Sequence, residues 1–362
     1  MGVQQIAFHL TDRCQLDCKH CLRDPAQKPA DIPFDVLVSA LDQVKRLHRT
    51  AHVALTGGEP TLYPKFFDVI DAIAERGMSW HMVTNGRRFG AVMQELVGAP
   101  ARRRSLERIY LSLDGADEVT HDRIRGEGSF REVLTACTLA TVHELPFILQ
   151  LVVNALNHSQ IEAVALLAAQ LGAAEVSFVM LQPTGTHHDR ELGLSAAEWH
   201  TVNDRLDRLA NTLKIPIRTP EGWPQKQPFH VCEPFQSKLL HIDVGGRLNL
   251  CCQHAGIPQS ADPPSGESDV VADLASTSLV DAHDRLLGVI HRAQTAKLRQ
   301  AAAGEPGAWD LFPCNWCLGH FGKPYWTDDG AAGPEADRER WVGARGEPKG
   351  QAPRTRLPIV RK

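Results

Sequence analysis

The stretch Leu10–Asp24, LTDRCQLDCKHCLRD, places Cys14, Cys18 and Cys21 as C-x3-C-x2-C directly after a strand-like run, VQQIAFHL, at residues 3–10. Three thiolates this close can share one iron–sulfur cluster, whose four irons ordinarily need four cysteines. The fourth iron is then open to an outside ligand, which suits a cluster that does chemistry as well as carrying electrons. The same cysteines can instead knot a zinc ion, with His20 or Asp17 as the fourth ligand.

Outward from this loop, strand and helix patterns alternate. Phe34, Leu37, Leu41, Val44 and Leu47 recur at helical spacing over Pro33–His48, with Pro33 suited to a first turn. Strands are predicted at Ala51–Thr56, Ser79–Thr84, Leu106–Leu113, Phe147–Asn154 and Glu175–Leu181. Helices are predicted at about Lys65–Arg76, Phe89–Val97, Phe130–His143 and Ser159–Leu171. Six such repeats argue for parallel β/α units and an open, partial (β/α)6 TIM-like barrel; a doubly wound sheet is the alternative. In either architecture chemistry gathers at the C-terminal ends of strands. The cysteine loop, Gly57–Pro60 (GGEP), Thr84–Asn85, Ser112 and Asp114, Asn154 and Gln182–Gly185 (QPTG) all stand there. In GGEP, two glycines allow close backbone approach, and their carbonyls with the Glu59 carboxylate form an acceptor-rich edge suited to an ammonium group.

These motifs together resemble the radical SAM superfamily, whose signature is the C-x3-C-x2-C spacing. Ser112-Leu113-Asp114-Gly115 resembles that family's fourth-strand segment. His121-Asp122-Arg123-Ile124-Arg125-Gly126, followed by Ser129-Phe130, resembles the HDxxRG…SF segment of its peptide-modifying branch. The resemblance implies a [4Fe–4S] cluster on Cys14, Cys18 and Cys21. It implies S-adenosylmethionine held by Gly57, Gly58, Glu59, Thr84, Asn85, Ser112, Asp114, Arg125 and Leu181. Cleavage of that cofactor would give methionine and a 5′-deoxyadenosyl radical able to remove hydrogen from an unactivated C–H bond.

Trp199, Val202, Leu206, Leu209 and Leu213 define an amphipathic helix, after which Pro216, Pro220, Pro224 and Pro228 mark a change of regime. The chain accordingly divides into a barrel at 1–214, an auxiliary domain at 215–326 and a poorly ordered tail at 327–362. Leu239–Cys252 reads as a β-hairpin turning at Gly245–Gly246, with Cys251 on the return strand. Cys232, Gly246-x4-Cys251 and Cys314-x2-Cys317 resemble the twitch domain, the shorter relative of the SPASM domain. That resemblance implies a second [4Fe–4S] cluster on Cys232, Cys251, Cys314 and Cys317; a structural zinc is the alternative. Between these cysteines Pro258–Asp273 reads as a mobile loop and Ser276–Ala303 as mostly helical, with Leu279, Leu286, Leu287, Ile290 and Leu298 on its apolar positions.

Two cysteines are left over. Cys137 reads as an inert core thiol. Cys252, adjacent to a presumed ligand on a strand, should face away from Cys251, and is a candidate catalytic thiol, since radical SAM epimerases return hydrogen from a cysteine. His187, His188 and Asp189 are candidate substrate contacts. Arg102–Arg104 reads as a solvated turn.

Composition narrows the classes. The 362 residues are 43% hydrophobic and 23% charged with net charge −4, so no global field favours nucleic acid or an anionic membrane. No run is long and apolar enough to span a membrane and no signal peptide is evident. The expected location is the cytoplasm, where the nine cysteines are not expected to form disulfides. The N-terminus begins at the first strand, which leaves a peptide substrate to direct binding or to a separate leader-peptide recognition protein. The ending PIVRK lacks the Gly-Gly tail of a molybdopterin-type cyclase. A flavodoxin or ferredoxin is the expected electron donor. The expected activity is oxidative tailoring of a peptide or small natural product, with epimerisation through Cys252 as the alternative. An iron–sulfur carrier or zinc-stabilised binding module is the reading of another class.

Overall fold

The computed structural model describes residues 3–23, 28–48, 52–184, 190–227, 230–304, 309 and 311–326. The predicted tail and His187, His188 and Asp189 lie outside the described residues.

Six parallel strands follow one another in both sequence and space: β1 (Gln5–His9), β2 (His52–Thr56), β3 (Trp80–Thr84), β4 (Leu106–Ser112), β5 (Phe147–Val153) and β6 (Glu175–Met180). The helices between them are α1 (Phe34–Leu47), α2 (Phe66–Glu75), α3 (Phe89–Gly98), α4 (Pro100–Ser105), α5 (Glu118–Arg125), α6 (Ser129–Val142) and α7 (Ile161–Gln170). Alternation of side chains along each strand separates two faces. Ile6, Phe8, Val53, Leu55, Trp80, Met82, Ile109, Leu111, Leu149, Leu151, Val176 and Phe178 are buried in the hydrophobic core. The intervening positions form the opposite, lumen face, where the polar His81, Tyr110, Gln150 and Ser177 stand among small and aliphatic residues such as Ala7, Ala54 and Ile148. The sheet is an open barrel: no pairing among the described residues closes it.

Helix α8 (Ala196–Thr212) starts at a capping box between Ser195 and Glu198 and buries Trp199, Val202 and Leu206. Past residue 214 the same sheet continues at both edges. A two-residue strand, β7 (Ile217–Arg218), pairs in parallel with β6. At the other edge β8 (Leu239–Ile242) pairs in parallel with β1, aligning Ala7 with His241. β8 then turns into antiparallel β9 (Arg247–Asn249), to which β10 (Val270–Asp273) adds. The hairpin turns at Asp243–Gly246, with Gly246 at φ +77° and a Cβ there only 3.1 Å from Val36. Of the two turn glycines only Gly246 uses positive φ. Two further helices complete the fold, α9 (Leu279–Ala303) and α10 (Pro313–His320).

Four local expectations change. Arg102 lies in α4 and binds the Asp71 carboxylate through Nε and Nη2 and Glu95 through Nη1, so the arginine run belongs to a short tethered helix. The Pro258–Asp273 stretch ends in β10, with Asp269 fully buried. On α9, Leu279, Leu286 and Ile290 are buried but Leu287 and Leu298 are exposed. The return strand stops at Asn249, so Cys251 lies beyond it and the alternation expected of Cys252 does not apply.

Candidate active site

The cysteine loop is fixed first by backbone. Gly58 N donates to Thr11 O at 2.7 Å and Glu59 N to Arg13 O at 2.8 Å. A Cβ on Gly57 would stand 2.6 Å from Thr11 O, and one on Gly58 2.4 Å from Arg13 O. The two glycines are thus required by the approach of the cysteine loop. Glu59 is fully buried, and its carboxylate accepts from Thr61 Oγ1 (2.6 Å), Thr84 Oγ1 (2.8 Å) and Asn85 N (2.9 Å). It ties the end of β2 to the end of β3. Burial pushes its pKa up while these donors pull it down. Glu59→Ala is therefore expected to destabilise the fold by about 1–3 kcal/mol for each buried donor left unpaired, read as a fall in Tm. A variant with wild-type Tm and weakened S-adenosylmethionine binding would make Glu59 a ligand contact instead.

Two donors reach the sulfurs from other elements, the end of β3 and helix α5. Asn85 Nδ2 lies 3.8 Å from Cys14 Sγ, and Arg125 Nη1 lies 3.9 Å from Cys18 Sγ. Burial raises the thiol pKa of Cys14, and pushes that of Cys18 up to about 12 against the pull of Arg125. A metal that takes thiolates would have to supply the missing stabilisation. Among the described residues no three His, Cys, Asp or Glu side chains are gathered to hold a single metal ion. A four-iron cluster takes one thiolate per iron, and N–H donors aimed at sulfur are among the features that stabilise it. The loop fits such a group.

Asp114, at the end of β4, is the hub behind the loop. Its Oδ2 meets His20 Nε2 and Arg125 Nε, each at 2.5 Å, and its Oδ1 accepts from Val152 N at 2.8 Å. His121 Nδ1 faces its backbone N–H, and Asn157 Nδ2 donates to its carbonyl. Arg125 and His20 hold the fully buried carboxylate well below the usual range, overcoming its desolvation. His20, a candidate zinc ligand in the sequence, turns to Asp114. Arg125 is buried. Ser112 is buried at the lumen face and Leu181 packs in the core beside the end of β6.

The C-terminal cysteines come together elsewhere. Cys232, Cys251, Cys252, Cys314 and Cys317 all line one cavity of about 780 Å³. Cys314 and Cys317 sit on the first turns of α10, after Pro313. Cys252 is exposed as a residue, yet its thiol lies against Cys251; their hydrogen bond and then burial hold the Cys251 thiol well above its ordinary pKa. Burial raises Cys232 to about 11. The cavity adjoins the barrel: a Cβ on Gly222 would stand 2.9 Å from Gln182 Nε2 and 3.4 Å from Cys314 Sγ.

Several residues here were not legible beforehand. Lys297, buried on α9, lies over the Trp316 ring at 5.4 Å and its charge bears on Cys232 and Cys317. Lys323 is buried against Asp269 at 2.8 Å and donates to Ile257 O at 2.7 Å, clamping the loop that follows Cys252. In register across the lumen face run Ser112, Gln150, Ser177 and Arg218. Arg218 ends this row, donates to the Tyr110 hydroxyl at 3.3 Å and lines the cysteine cavity. Cys137 is fully buried on α6 and burial pushes its thiol up to about 12, which fits an inert core residue.

An open parallel β/α barrel with three cysteines after β1 defines the class. Residues 8–168 match the family model described as Radical SAM superfamily. An AdoMet-dependent heme synthase of Methanosarcina barkeri is 30% identical over 216 residues, which cover 59% of this chain and 60% of that one. Mycofactocin maturase MftC of Mycobacterium ulcerans is 29% identical over 205 residues, 56% of this chain and 54% of that one. The chain thus spans little more than half the length of these relatives. The solved structure of Streptococcus suis SuiB bound to S-adenosylmethionine superposes with a TM-score of 0.65 at 14% identity, covering 80% of this chain and 68% of that one. That likeness concerns the fold. Among the described residues no helix is long and apolar enough to cross a membrane.

Proposed function

We propose that the chain is a radical SAM enzyme of the SPASM/twitch branch that tailors a peptide or small natural product by oxidation. Its carrying observation is the cavity in which five cysteines of the C-terminal third meet, next to the end of β6. Cys14, Cys18 and Cys21 would hold the first [4Fe–4S] cluster, and Cys232, Cys251, Cys314 and Cys317 in the 215–326 unit the second. When bound, S-adenosylmethionine and the clusters supply hydrogen abstraction from carbon and a route for electrons. The protein's part is positional. Gly57 and Gly58 seat the cysteine loop, Asn85 and Arg125 face its sulfurs, and Ser112 begins the polar lumen row towards Arg218. Thr84, Asp114 and Leu181 complete the surroundings in which S-adenosylmethionine would lie.

The name of one relative, a maturase, supports a tailoring role, and that of another, a heme synthase, keeps a small-molecule product within the class. A flavodoxin or ferredoxin in the cytoplasm would supply electrons, and a separate leader-peptide recognition protein could present a peptide. The spare thiol of Cys252 in the same cavity favours one second reading, epimerisation with Cys252 as hydrogen donor. The test is anaerobic reconstitution with iron and sulfide, followed by dithionite reduction with S-adenosylmethionine present. About eight irons per chain and release of methionine and deoxyadenosine are expected. A fully iron-loaded protein that releases no deoxyadenosine would sink the proposal.

A further inference from the structure

We propose that Arg125, held by Asp114, sets the reduction potential of the group carried by the three-cysteine loop, making it easier to reduce. The inference rests on Cys14, Cys18 and Cys21 being cluster ligands. Arg125 closes α5, which stops at Gly126 with φ +123°. The same helix end holds the loop backbone, since Lys19 N donates to Ile124 O at 3.0 Å. The Cys18 thiol lies 4.0 Å from Arg125 O and 3.9 Å from Arg125 Nη1. The guanidinium therefore meets the sulfur from a fixed base.

Asp114 determines which edge of the guanidinium faces the sulfur. Its carboxylate is committed on both oxygens, to Val152 N through Oδ1 and to His20 and Arg125 Nε through Oδ2. With Nε so engaged, Nη1 is the nitrogen turned to Cys18. The Arg125 side chain is 9% exposed and that of Asp114 0%, so water and salt screen the pair little. Reduction adds one negative charge to a thiolate-bound cluster. A buried guanidinium beside one sulfur stabilises the reduced form more than the oxidised form, and hydrogen bonds to sulfur are a known lever on cluster potentials. The Asp114 carboxylate acts on Cys18 with the opposite sign and more weakly than Arg125. Arg125 and Asp114 are positioning residues here; neither is assigned a covalent step.

The opposite signs supply the test. Full-length wild type, Arg125→Gln, Arg125→Lys and Asp114→Asn are reconstituted anaerobically and their iron content compared. The EPR signal that changes on adding S-adenosylmethionine is then titrated against potential. Arg125→Gln is expected to lower the reduction equilibrium constant at least tenfold, about 59 mV for one electron. Arg125→Lys should recover part of that loss, and Asp114→Asn should shift the potential upward. A merely structural role would loosen the loop in both variants and would not separate their signs. An iron-replete Arg125→Gln at the wild-type potential, or both variants shifting the same way, would overturn the inference. If Arg125→Gln binds too little iron to titrate, Asp114→Asn decides: an upward shift supports the inference and any other result overturns it. Wild type with no cluster on these cysteines would overturn the reading of the loop, and this inference with it.

Discussion

Replacing Cys14, Cys18 and Cys21 together by Ala is expected to leave about four of about eight irons per chain and to abolish deoxyadenosine formation. The two cysteine sets are carried by different parts of the sheet, so loss of one should spare the other. The first set follows β1 and is braced by the glycines after β2 and by Asn85 after β3. The second set hangs on the β8–β9 hairpin and α10, braced by Lys323 and the Asp269 carboxylate. None of the braces of the first loop is a thiol, so the triple variant should retain its melting transition. Iron analysis with product detection checks both halves of the expectation. A triple variant that still cleaved S-adenosylmethionine reductively would refute the assignment of this loop.

The order of the barrel was legible because each strand carries buried, largely apolar residues and each connecting helix repeats its apolar positions at helical spacing. The placement of GGEP, Asn85, Ser112 and Asp114 at strand ends followed from that order. Their partners did not. A sequence shows that Gly57 and Gly58 permit a close approach, but not that the approaching atoms are Thr11 O and Arg13 O. Glu59 is an anionic residue in a loop by sequence, and only the fold reveals Thr61, Thr84 and Asn85 converging on it. Helix α5 has few apolar residues, with His121, Ile124 and Arg125 buried, so periodicity gave it little signal. Lys297 and Lys323 resemble any surface lysine until the fold buries them. Strand β7 is two residues long, too short for alternation to register.

The joining of the C-terminal third to the barrel has a consequence for chemistry. Because β8 pairs with β1, the hairpin that leads to Cys251 starts beside the strand that leads to Cys14. Because β7 pairs with β6, Arg218 enters the lumen row and also lines the cysteine cavity. The two cysteine sites are therefore linked by one continuous sheet instead of a flexible tether. A substrate that lies along the lumen face would meet polar groups from Ser112 to Arg218 on its way between them.

Cys252→Ala is expected to turn over nearly normally if the reaction is oxidative, and to lose its stereochemical outcome if the reaction is epimerisation. The sequence argument for Cys252 was that a strand would point it away from Cys251. With β9 ended at Asn249, the two thiols instead share one cavity and a hydrogen bond. Five thiols line that cavity; under the proposed four-cysteine assignment one would be spare, and the twitch-like spacing would make it Cys252. A spare thiol beside the cavity can donate a hydrogen atom only if the substrate carbon comes into van der Waals contact with it. An oxidation needs no such donor, since it removes a second electron and a proton and gives a product lighter by two hydrogens. Epimerisation must refill the carbon from the opposite face, so wild type in deuterium oxide would incorporate one deuterium. With the substrate in hand, mass spectrometry of the product separates the two. We expect the loss of two hydrogens, with Cys252→Ala retaining product formation and about eight irons. A gain of one deuterium, with deoxyadenosine still formed but inversion lost in Cys252→Ala, would overturn the oxidative reading and make Cys252 the donor.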